Sequence, residues 1–143
     1  MIPLLLVIID ISFSHGVMMY LAVDTPNAQL VLISNSHNGL YQGIMYAVEN
    51  DADVICMPLA FSEYNSNVAR AIRLAINNDI EIVAPLWNKD IVYRFYKALG
   101  VDMSKVYPAH YSGVIRTTNW GRGNSFGAAK KAKELIDIKW RMK

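Results

Sequence analysis

Short runs of branched apolar residues alternate along this chain with segments of helical period, and few architectures satisfy that pattern. The runs lie at about Leu4–Ile9, Gln29–Ser34, Asp53–Pro58, Ile80–Pro85 and Gly113–Thr118. Each has the length and apolar density of a strand buried on both faces. Helical spacing marks Leu40–Asn50, Val68–Asn77, Ile91–Leu99 and the stretch from Ser125 to the C-terminus. Strands that alternate with helices build crossover units in which helices cover both faces of a parallel sheet. Asn50-Asp51, Asn77-Asn78-Asp79 and Gly100 supply helix stops at the boundaries. The expectation is an α/β fold, a three-layer αβα arrangement with a mostly parallel sheet, spanning residues 1–143 as one domain.

Composition narrows what such a fold does. Hydrophobic residues make up 53% and charged residues 18%, enough apolar surface for a buried sheet without metal or disulfide support. A formal charge of +2 is too small to argue for nucleic acid. The basic concentration Lys130, Lys131, Lys133, Lys139, Arg141 and Lys143 is interrupted by Glu134 and Asp137, and reads as a solvated helix face. Cys56 stands alone inside an apolar run, as a small buried hydrophobe does. The opening Met1–Ile9 run lacks a preceding basic residue and meets Asp10 too early for a membrane span, so it reads as a strand. A cytoplasmic protein with no membrane or nucleic-acid partner is expected, its oligomeric state open.

Parallel sheets expose reactive side chains just beyond the C-terminal ends of their strands. Asp10 ends the first strand, His15 opens the helix after it, Asn88 follows the fourth strand, and Ser125 sits where the last helix begins. An acid, an imidazole, an amide donor and a hydroxyl are the parts of acyl transfer through an activated serine. Each also has a plainer role. Asp10 suits a turn, His15 a surface position, and Ser125 and Asn88 are good helix caps.

The local motifs around these residues resemble the subtilisin family of serine peptidases, in the order Asp, His, Asn, Ser. Val7-Ile8-Ile9-Asp10-Ile11-Ser12 is similar to the strand ending in the family's aspartate, and Ser14-His15-Gly16-Val17-Met18-Met19 to its histidine motif. The longest match, Gly43 to Ala60, resembles the helix, turn and strand leading to the substrate-binding edge. Val83-Ala84-Pro85-Leu86-Trp87-Asn88 resembles the strand ending in the oxyanion asparagine, and Tyr107 to Ile115 the entry to the next strand. Gly123-Asn124-Ser125-Phe126-Gly127-Ala128-Ala129 is similar to the nucleophile motif of Gly-Thr-Ser-Met-Ala type.

The resemblance implies a reduced subtilisin-like fold and a minimal serine endopeptidase, with Asp10, His15 and Ser125 catalytic, Asn88 in the oxyanion site, and Met57, Pro58, Leu59, Ala60, Leu86 and Trp87 binding substrate. It implies a peptide or protein substrate, no cofactor and no metal. The chain departs from the family in its five-residue step from Asp10 to His15, bridged with Ser14 as a cap, and in the short link from Ile115 to Ser125. Bulky Leu86 and Trp87 stand where small residues are usual, and Pro58 lacks an N–H to pair with substrate. The alternative is a catalytically inactive relative serving as a protein-interaction or inhibitory module. A nucleotide-binding domain fits less well, since neither Gly-x-Gly-x-x-Gly nor a P-loop follows any strand.

Overall fold

The computed structural model describes residues 3–10, 13–34, 39–87, 91–118 and 124–143. Among these residues five strands form one parallel sheet: β1 (Leu4–Asp10), β2 (Ala28–Ser34), β3 (Val54–Cys56), β4 (Glu81–Pro85) and β5 (Ile115–Thr117), in the order β2-β1-β3-β4-β5. Five helices alternate with them: α1 (Phe13–Val23), α2 (Gly39–Glu49), α3 (Ser66–Asn77), α4 (Ile91–Ala98) and α5 (Asn124–Arg141). The expected three-layer α/β fold is what these elements build.

Side-chain alternation along the strands divides the core in two. Leu4, Leu6 and Ile8 pack with Met19 and Val23 of α1 and with Ala128, Ala132 and Ile136 of α5. On the other face Val7 and Ile9 meet Ile44 and Ala47 of α2 and Ile72 and Ala75 of α3. β1 is therefore buried on both faces, and this accounts for its unbroken apolar sequence. Its two neighbours arise from crossovers in opposite directions, so the sheet has its topological switch point between β1 and β3.

Element ends differ from the sequence expectation by one or two residues at several places, and those at β3, α3 and α1 bear on the site. β3 stops at Cys56 because Leu59 N–H turns back to the Met57 carbonyl at 2.8 Å and Pro58 has no N–H for a ladder. α3 starts two residues before Val68, where Asn65 caps it by accepting from the N–H groups of Asn67 (2.9 Å) and Val68 (3.1 Å). α1 starts at Phe13, so His15 is its third residue and Ser14 lies inside the helix rather than capping it.

Helices α2, α3 and α4 end alike. Asp51, Asp79 and Gly100 adopt φ of 53°, 60° and 84°. In each case the following residue's N–H reaches back five positions: Ala52 to Ala47 O (2.9 Å), Ile80 to Ala75 O (3.1 Å), Val101 to Tyr96 O (3.1 Å). The left-handed conformation is costly for a side chain bearing a Cβ and free for glycine. Asp79→Gly is expected to stabilise the fold by about 0.5–1 kcal/mol, read as a higher urea midpoint at unchanged m-value.

Candidate active site

The C-terminal edge of the sheet carries a buried carboxylate. Asp10 closes β1 at 2% exposure, a placement that is unfavourable for an ionised group without a partner. His15 supplies one: its Nδ1 lies 2.5 Å from Asp10 Oδ2, with the side chain 36% exposed. Gly16 permits this approach. A Cβ there would stand 2.8 Å from Leu32 Cδ1 and 3.3 Å from Asp10 Cβ, so α1 seats against the strand ends only because residue 16 has no side chain.

Cys56 on neighbouring β3 feels the same surroundings. It is fully buried, and burial, aided by the nearby Asp10 charge, pushes its thiol up to about 12. The thiol is thus an inert core group rather than a nucleophile.

Ser125 is the second residue of α5 and donates its hydroxyl to the Pro58 carbonyl at 3.2 Å. β1 and β3 pair with Ile8 opposite Cys56. Asp10 is two residues past that pair at the end of β1, and Pro58 is two residues past the end of β3. The acid–imidazole pair and the hydroxyl therefore belong to one edge of the sheet, on either side of its switch point. Ser125 gives its proton to Pro58 here, not to the imidazole.

Asn124, which the sequence did not single out, anchors this hydroxyl. It is 5% exposed, and its Nδ2 donates to the carbonyls of Leu86 (3.0 Å) and Trp87 (2.8 Å). The start of α5 is thereby tied to the chain leaving β4. An asparagine before a helix reads as a cap, and only the fold brings its partners, 37 and 38 residues away, within reach.

A cleft of about 630 Å³ opens beside Ser125. Leu59, Ala60, Leu86 and Trp87 all line it, as does Ser125 itself. The Met57 side chain is instead fully buried in the core, and Pro58 is buried with its carbonyl engaged by Ser125. Asn88 lies outside the described residues. Among the described residues no three His, Cys, Asp or Glu side chains gather as a metal-ligand set, and no helix is long and apolar enough to cross a membrane.

No protein-family model and no curated protein matches the chain. Solved structures do. The prenylagaramide maturation protease PagA superposes with a TM-score of 0.67 at 11% identity, over 97% of this chain and 76% of that one. The response regulator domain of Thermotoga maritima CheB superposes with a TM-score of 0.52 at 14% identity, over 99% and 96%. Identities this low speak for a shared α/β fold.

Two outcomes follow from the buried polar groups. Asn124→Ala is expected to lower stability by about 1–3 kcal/mol, since the carbonyls of Leu86 and Trp87 lose their donor, as measured by denaturant unfolding. For Cys56, the unfolded thiol ionises near its ordinary value while the folded thiol stays protonated to about 12. Its contribution is complete below the unfolded value and is lost as pH rises, by about 1.4 kcal/mol per unit above pH ~9. Urea titrations of wild type and Cys56→Ala over that range should show the stability difference shift by this amount in favour of the variant.

Proposed function

We propose that the protein is a minimal subtilisin-like serine endopeptidase. The observation that carries the reading is the buried Asp10 carboxylate bonded to His15 Nδ1 at 2.5 Å, on the same sheet edge as Ser125. The cleft beside Ser125 and the fold shared with the protease PagA support it.

In this reading Asp10 fixes the imidazole with Nδ1 protonated, so that Nε2 serves as the base. Ser125 Oγ attacks the scissile carbonyl as its proton passes to Nε2. The tetrahedral intermediate collapses when the imidazolium returns that proton to the leaving amine, and water repeats the sequence to release the acid. The N-terminal amides of α5 favour negative charge at the oxyanion, and Asn88 is assigned as a second donor. Leu59, Ala60, Leu86 and Trp87 hold substrate, Met57 and Pro58 contributing backbone to that edge. The whole chain acts as one subtilisin-like domain, and a cytoplasmic setting is compatible with its single cysteine.

A second reading, an inactive domain that binds or inhibits another protein, is favoured by the Ser125 hydroxyl donating to Pro58 O. Engagement of Ser125 by substrate would have to break that bond, although catalytic contacts are often loose without ligand.

A fluorophosphonate probe separates the two. The active enzyme labels on Ser125, Ser125→Ala abolishes labelling, and His15→Ala slows it by about 10⁶-fold. Folded protein that never labels and cleaves no peptide library is the inactive domain.

A further inference from the structure

The segment after β3 forms one wall of the cleft and is held at two points. Phe61 exchanges backbone hydrogen bonds with Tyr107, at 2.7 Å and 2.8 Å. Four residues on, the Asn65 N–H donates to the Tyr111 hydroxyl at 2.9 Å. Glu63 lies midway between these anchors, exposed, and lines the cleft. It is the only charged side chain among the described residues that do so. The remaining surface is rich in rings: Phe61, Trp87, Tyr93 and Tyr96. Glu63 also borders a second hollow, where Tyr64, Tyr107 and Tyr111 stack with centroids 4.7–5.6 Å apart.

An apolar, ring-lined cleft with a single carboxylate on its wall complements one kind of side chain: a long aliphatic stem that ends in a cation. The stem lies on the aromatic and aliphatic wall, ring faces attract the cation, and the carboxylate neutralises it. We infer that this cleft selects an arginine or lysine side chain of the peptide, with Glu63 as the specificity-determining residue. Identification of the cleft as the substrate subsite rests on the peptidase reading; the side-chain preference rests on the cleft alone. An acidic side chain is rejected, because it would place two carboxylates in one ring-lined space.

The test is a binding measurement on Ser125→Ala, which cannot turn over substrate in the proposed mechanism. Acetylated tetrapeptide amides identical except for a C-terminal Arg, norleucine or Glu are titrated at low salt by calorimetry and by amide NMR shifts. Arg is expected to bind about tenfold more tightly than norleucine, with Glu weakest. Added Glu63→Gln should bring Arg to within about twofold of norleucine, and Glu63→Lys should place Glu ahead of Arg. Residue 63 is exposed, so these variants leave the core untouched, and thermal unfolding verifies that. The inference is overturned if norleucine binds best, if no peptide binds at millimolar concentration, or if Glu63→Gln leaves the Arg preference intact. Wild-type protein that ignores fluorophosphonate while Ser125→Ala retains the Glu63-dependent preference for Arg would refute the peptidase reading and leave the cation-selecting cleft standing.

Discussion

Burial of one carboxylate at the end of the central strand sets the terms for the rest of the molecule. β1 is covered on both faces, so Asp10 has almost no access to water. A charge in that place is tolerated only with a close partner. The partner comes from α1, which reaches the strand end because Gly16 presents no side chain to Leu32 and Asp10. The fold and the pairing are one constraint: the seating of α1 against the strand ends is what brings the His15 imidazole to the buried carboxylate.

The sheet order adds the second ingredient. A switch point between β1 and β3 leaves a crevice where helices diverge to opposite faces. The hydroxyl of Ser125, held by Asn124 against the exit of β4, stands at that crevice. The cleft lies one strand further along the same edge, where the segments leaving β3 and β4 form its walls and Ser125 borders it. Chemistry and recognition thus share one edge, and the two ties of Asn124 connect them.

Much of this was legible in the residues. The five strands and the helices between them follow from apolar runs and helical period, and Asn-Asp pairs marked two helix ends correctly. Asp10 and His15 stood out because polar groups at the ends of buried strands are conspicuous. Strand order was not legible, because apolar runs buried on both faces carry no label for their neighbours. The early start of α1 escaped notice since Phe13 and Ser14 have no helical signature of their own. Asn124 was overshadowed by the serine beside it, and its role depends on carbonyls that only tertiary structure brings near.

Helix α5 is fastened far from the crevice as well. Asp137 accepts hydrogen bonds from Thr25 and Asn27, both at 3.0 Å, across 112 and 110 positions of sequence, and Lys139 pairs with Glu81 at 3.0 Å. Until this helix exists, Leu4, Leu6 and Ile8 lack half their covering on one sheet face. The helix that completes this face of the core is thus the same one that carries Ser125 to the strand ends, so core packing and placement of the hydroxyl rest on one element.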